Sequence, residues 1–330
     1  MSAAPVPLHG PACEHPHEEK HAHDHDHHGG GHQHGVSDDA DRRYLWIALG
    51  LLSAFMVGEV VVAFAAHSLV LLSDAGHMLT DVGAIGAALW AMSLAARPAQ
   101  GEWTYGWKRA EILSAAGNGI TLLVLSGLIT FEAVRRLVDP PDVTGGAVLA
   151  VALVGVVVNV AATAVLAKAN RSSLNIAGAF AHIVTDLYAF LGTVIAAIVI
   201  ITTGFRRADA IASLVVVALM LRSSIGLLRA SGRVLLEAAP EGTDIEHIRA
   251  HLMATEHVHD VHDLHIWNLT NNLPTLSAHV VVDETCFTAG RAPWLLDQLQ
   301  ACLTGHFDVQ HCTFQLEAVG HTGHEHGAHH

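Results

Sequence analysis

The sequence predicts an α-helical membrane protein with six transmembrane helices, followed by a C-terminal α+β domain of αββαβ order. Three observations carry this reading. The 330 residues are 51% apolar and only 15% charged, with mean hydropathy +0.39, which leaves too little charge to cover a soluble surface. Six apolar runs, each long enough to cross a bilayer, succeed one another between residues 44 and 230. Beyond Ala239 the texture changes to short alternating strands and capped helices.

The spans fall at 44–66, 69–96, 110–134, 145–167, 174–203 and 208–230. Arg222 interrupts the sixth, but near one end, where a long side chain snorkels to the interface. Loop charge gives the orientation. If the first span starts in the cytoplasm, then Arg42, Arg43, Arg97, Lys108, Arg109, Lys168, Arg171, Arg229 and Arg233 gather on that side. The other side holds only Arg135, Arg136, Arg206 and Arg207, so both termini are expected in the cytoplasm. The first residues lack the basic start and apolar core of a cleavable signal, so the first span is expected to act as the internal one.

In the C-terminal domain, Asp244–Ala254 reads as a helix capped by Thr243 or Asp244, and Arg291–Leu303 as a second helix. Val261–Leu269, Thr275–Val282 and Val309–Glu317 read as strands, the last alternating Thr313 and Gln315 against Cys312, Phe314 and Leu316. This is a small two-layer domain. Residues 1–36 hold ten histidines and too few apolar residues to bury a core. The resulting organisation is a disordered His-rich tail (1–38), the transmembrane domain (39–233), the cytoplasmic domain (234–318) and a second His-rich tail (319–330).

Four cysteines, none in a C-x-x-C pair, argue against a disulfide framework. A net charge of −14 with no basic stripe argues against nucleic acid. The compact, Ala- and Gly-rich chain points to a bacterial plasma (inner) membrane, with the lipid bilayer as its surroundings.

Two short patterns carry the chemistry: His77-x-x-x-Asp81 in the second span and His182-x-x-x-Asp186 in the fifth. The i, i+4 spacing puts each pair on one helix face. Ionisable residues at membrane depth are costly without a partner or a task, and no basic residue lies in either span to neutralise the two aspartates. One pair alone would suit a helix–helix hydrogen bond. Two pairs of identical spacing point to one divalent cation held by two imidazoles and two carboxylates. Such a set suits tetrahedral Zn²⁺, with Cd²⁺, Co²⁺, Fe²⁺ and Ni²⁺ still compatible, while Mg²⁺ and Ca²⁺ prefer all-oxygen shells. Histidine titrates near 6.5, so protons compete for the same atoms, and zinc/proton exchange follows as an expectation.

In the C-terminal domain, His262 and His279 on adjacent strands and His311 on the last strand form a second candidate metal site. Glu317 offers a carboxylate there, and His247 approaches from the first helix. Asp74 reads as an outer-shell residue. Glu59, Asn118 and Asn159 read as hydrogen-bonding groups between helices, and Glu111 and Asp209 as span-end residues facing headgroups. The loop Arg97–Lys108 holds no His or Asp, which argues against a metal site in it. The His-rich tails are expected to bind zinc weakly, and deleting residues 1–36 to lower uptake without abolishing transport.

Other functions fit less well. A membrane metalloprotease wants a metal-bound water and a motif such as H-E-x-x-H. No such motif occurs in the six spans, the match His17–His21 falls in the low-complexity tail, and four protein ligands leave no open position for water. A pure sensor gains little from four ligands at mid-membrane. A primary pump would need a nucleotide-binding P-loop. No enzymatic activity is expected.

The motifs resemble a known family. His67–Asp81 resembles the second transmembrane helix of the cation diffusion facilitators, zinc-transporting branch. Tyr105–Leu113 is similar to the start of that family's third helix, Asn175–Asp186 to its fifth and Asp209–Ser213 to its sixth. His262–Trp267 resembles the start of its cytoplasmic domain. The resemblance covers residues 40–318. It implies a homodimer of six-helix protomers, each with a metallochaperone-like cytoplasmic domain. It also implies export of divalent metal by alternating access in exchange for protons, with transport ligands at His77, Asp81, His182 and Asp186. A further implication is regulatory zinc bound by the cytoplasmic domain and across the dimer.

Overall fold

The computed structural model describes residues 34–321 apart from 66–68, 140–144, 170–172, 271–272, 308 and 310. The side chains of 34–41, 63, 65, 69–77 and 145–148 also lie outside the described part. Both His-rich tails therefore fall almost wholly outside the described residues.

Six helices long and apolar enough to cross a membrane come first. They are α1 (His34–Ala65), α2 (Leu69–Ala95), α3 (Ala110–Val138), α4 (Gly145–Leu166), α5 (Leu174–Thr203) and α6 (Ala208–Leu235). Their hydrogen-bonded ends pass several hydropathy boundaries: α3 and α6 each run past the apolar stretch into its basic flank, Arg135–Arg136 and Arg233. Cations in a last turn complement the helix C-terminus.

Small residues let the helices approach closely, as bundle packing in lipid requires. A Cβ at Gly119 of α3 would lie 2.9 Å from Leu228 Cγ of α6, and Ser224 Oγ donates to the Gly119 carbonyl at 2.7 Å. A Cβ at Gly155 of α4 would overlap the Phe190 ring of α5. One apolar core joins α1, α2, α4 and α5 through Leu45, Leu52, Met78, Ile85, Leu166 and Ile183. Large apolar side chains such as Val157, Phe131 and Ile195 face outward, as lipid contact allows.

The C-terminal domain has α7 (Ile245–Met253), β1 (Val258–Asn268), β2 (Pro274–Val282), α8 (Glu284–Thr288), α9 (Ala292–Phe307) and β3 (His311–Ala318). Asp244, not Thr243, caps α7: its Oδ1 accepts from the backbone of Glu246 at 3.1 Å and His247 at 3.2 Å. The five-residue α8 is additional to the expected αββαβ order, and it anchors Cys286 in the core. The sheet runs β1-β2-β3, with β1/β2 antiparallel and β2/β3 parallel. Ile248, Leu252, Leu295, Leu299 and Leu303 of the helices cover one sheet face through Leu276, Ala278, Val280 and Val282. The other face carries the histidines.

Arg109, before α3, pairs with Glu237, after α6, at 2.8 Å. The Tyr105 ring meets that of His311 edge-on at 6.0 Å, so the α2–α3 loop touches the start of β3.

Candidate metal centres

The first centre forms where α2 meets α5. Met78 and Ile85 on α2 and Ala179 and Ile183 on α5 join one core, which turns the positions between them toward each other. Asp81 Oδ1 lies 2.6 Å from His182 Nε2, and Asp186 Oδ2 lies 3.6 Å from the same nitrogen. Each of the three offers a donor atom within 4.8 Å of the others, and all three are buried. His77 sits in α2 one turn before Asp81, and its side chain lies outside the described residues, as does that of Asp74.

The imidazole and the two carboxylates stand in an apolar bundle with no Lys or Arg on α2 or α5. Such a group holds either protons or a cation. At 2.6 Å a proton lies between Nε2 and Oδ1, and a metal taking both atoms as ligands must displace it.

The second centre lies on the helix-free face of the C-terminal sheet. His262 of β1 pairs in register with His279 of β2. Glu317 of β3, two residues beyond the Gln315 that pairs with His279, shares their face. His279 Nδ1 lies 2.8 Å from Glu317 Oε1, and His262 Nε2 lies 3.6 Å from Glu317 Oε2. Donor atoms of the three again lie within 4.8 Å of one another.

Two expected members are placed elsewhere. His311 opens β3 opposite Thr275, six residues and roughly 20 Å of strand before Glu317, and its ring meets Tyr105. His247 lies on α7, on the helix side of the sheet, with its ring 4.5 Å from that of His251 and 5.5 Å from that of Phe307. A five-membered cluster is therefore not assembled within one chain.

Two neighbours were not anticipated as site residues. Gln315 Nε2 donates to Glu317 Oε1 at 2.8 Å, and its alternation with Glu317 was the available signal. Asp263 approaches His265 at 3.1 Å and His279 at 3.8 Å. It occupies a bulge between His262 and His265 with φ 48°, a left-handed conformation that Asp tolerates. The bulge resets alternation, so His265 joins the His262 face while Ile266 returns to the core.

Other polar residues depart from expectation. Asn159 donates to the Gly155 carbonyl of its own helix at 3.0 Å, not to a neighbouring helix. Glu111 accepts from Ser173 Oγ at 3.1 Å, tying α3 to the start of α5. Asp209 meets Arg136 at 3.3 Å. Both carboxylates thus bridge helices; span-end residues find cations and hydroxyls from neighbouring spans close by. Burial pushes the Cys286 and Cys312 thiols up, which keeps them protonated and poor metal ligands.

Comparison with known proteins gives concordant matches. The family model "Cation efflux transmembrane domain" matches residues 45–236, and "Cation efflux protein, cytoplasmic domain" matches 240–319. The chain is 36% identical to the cadmium, cobalt and zinc/H(+)-K(+) antiporter of Bacillus subtilis, over 88% of this chain and 93% of that protein. It is 38% identical to the metal cation efflux system protein CzcD of Cupriavidus metallidurans, over 88% and 90%. It is also 38% identical to the zinc transporter ZitB of Escherichia coli, over 86% and 89%.

Proposed function

The chain belongs to the cation diffusion facilitator family of metal cation transporters, in its zinc and cadmium branch, and on that premise we propose that it exports Zn²⁺ from the cytoplasm in exchange for protons. It is an integral membrane protein and not an enzyme. The observation that carries the proposal is the convergence of Asp81, His182 and Asp186 within 4.8 Å, buried among apolar spans.

The proposed transport ligands are His77, Asp81, His182 and Asp186. His77 is assigned by its i−4 relation to Asp81, which matches that of His182 to Asp186. Three donors and a fourth one turn away suit a tetrahedral ion, with Cd²⁺ and Co²⁺ as further substrates. Exchange follows from competition for the same atoms. With the site open to the cytoplasm, the metal displaces the proton shared by His182 and Asp81. With the site open to the far side, protons return and the metal leaves. His182 and the aspartates thereby couple the two fluxes without any group changing its covalent structure.

The loop charges support cytoplasmic termini, and the bacterial relatives support the plasma membrane as the location. The protein works as a homodimer in this proposal. His262, His279 and Glu317 hold a regulatory zinc on the cytoplasmic domain. The test is zinc flux into proteoliposomes with and without an imposed pH gradient. Uptake that accelerates with an acidic lumen and collapses with a protonophore is expected. Flux indifferent to both would exclude proton exchange.

A further inference from the structure

His182 has a second ring nitrogen, and its surroundings suggest what orients the ring. Nδ1 is buried and, among the described residues, hydrogen-bonds to no other protein group. Neither does Asn118 Oδ1 of α3 or Asn175 Nδ2 of α5. All three residues line one small cavity, on the scale of a single water molecule, with Ala88, Ala115 and Ala179 as apolar walls. Asn175 is 3% exposed and His182 2%, so these polar atoms have no bulk water to turn to.

Asn175 lies seven residues before His182, two turns along α5 on the same face. Asn118 reaches the cavity across Gly178: a Cβ there would sit 3.5 Å from Asn118 Nδ2 and 3.1 Å from Leu227 Cδ2. Three residues that line one water-sized space, each with a buried polar atom lacking a protein partner, are costly unless something satisfies them together.

We propose that Asn118 and Asn175 hold an ordered water that accepts the Nδ1–H of His182, making them positioning residues for the transport ligand. One water meets every demand. It donates to the Asn118 carbonyl and accepts from the Asn175 amide and from Nδ1–H. That bond fixes the tautomer, leaving Nε2 as the atom that faces Asp81 and Asp186 and takes the metal. A ligand histidine oriented through its other nitrogen gains basicity and loses rotational freedom.

This inference rests on the transport site proposed above, so the experiment carries Asp81→Ala beside the new variants. Zinc flux is measured in proteoliposomes of the full chain with Asn118→Ala, Asn175→Ala and Ala115→Leu, the last filling the cavity while keeping both amides. Asn159→Ala is the control, since that buried amide bonds within α4. The expected result is KM raised about 10–100-fold in all three with kcat changed less than about threefold, and an unchanged control. A purely structural role would instead lower kcat, through loss of active protein, at unchanged KM, and that outcome overturns the proposal. So does wild-type KM in both Asn variants while Asp81→Ala is inactive, which leaves the transport site standing. If Asp81→Ala itself transports normally, the transport site and this inference fall together.

Discussion

Asp81 and His182 lie 101 positions apart in the chain, yet Oδ1 of one is 2.6 Å from Nε2 of the other, with both side chains almost wholly buried. The pairing ties the middle of α2 to the first third of α5 through a proton that a metal can replace. The proposed transport mechanism depends on that exchange of one cation for another at the same atoms.

The pairing makes Asp186 and Asp81 unequal. Asp81 contacts Nε2 at hydrogen-bonding distance, while Asp186 stands off at 3.6 Å on the next turn of α5. Asp186→Asn retains volume but removes the charge of a proposed ligand. Zinc flux at fixed pH gradient is expected to fall by at least about tenfold, with the folded fraction by size-exclusion chromatography unchanged.

Cytoplasmic zinc is expected to stabilise the C-terminal domain through His262, His279 and Glu317. Zinc at 100 times its Kd would add about 2.7 kcal/mol to stability. Glu317→Ala removes the carboxylate that meets both imidazoles, so most of the zinc-induced rise in thermal midpoint of that domain should vanish. His311→Ala should leave the rise intact, because His311 faces Tyr105 instead.

Asp283 sits between two imidazoles, accepting from His259 Nε2 at 2.6 Å and His257 Nδ1 at 3.0 Å. These hydrogen bonds hold its carboxyl below the usual carboxylate range. A depressed folded value means the contribution is fully present above the unfolded value of about 3.9 and is lost as pH falls through the lower folded value. Acid unfolding of the domain, followed by Trp294 fluorescence, should therefore show a component in that window that Asp283→Asn lacks.

Gly155 tests the packing of α4 on α5. A methyl group there would overlap the Phe190 ring, which also meets Phe55 edge-on at 6.0 Å. Gly155→Ala is expected to cost about 1–3 kcal/mol by overpacking, read as a lower thermal midpoint in detergent. Gly155→Ala with Phe190→Leu should recover part of it.

Local features were legible in the sequence, and long-range ones only in part. The H-x-x-x-D pairs could be read because i, i+4 spacing within an apolar run is decided inside one helix. The six spans followed for the same reason. That α2 meets α5, by contrast, rests on packing of Ile85 and Ile183 that no single run specifies. In the sheet, strand identity was readable but depth along the strand was not, so His311 was grouped with Glu317 although six residues separate them. Bulges hide as well: Asp263 breaks the alternation of β1, and nothing in a period-two pattern announces it. The five-residue α8 is too short to leave a periodic signature. Glu111 and Asp209 found Ser173 and Arg136 through contacts between spans distant in sequence.

The most direct test of the central claim is zinc uptake into inside-out vesicles by the wild type and by Asp81→Ala at matched protein levels. Removing Asp81 deletes a proposed ligand and the partner of the displaced proton in one change. The expected result is ΔpH-driven zinc uptake in the wild type and none above background in Asp81→Ala, with zinc-evoked proton release lost alongside. Normal, pH-coupled zinc uptake by Asp81→Ala would contradict the account.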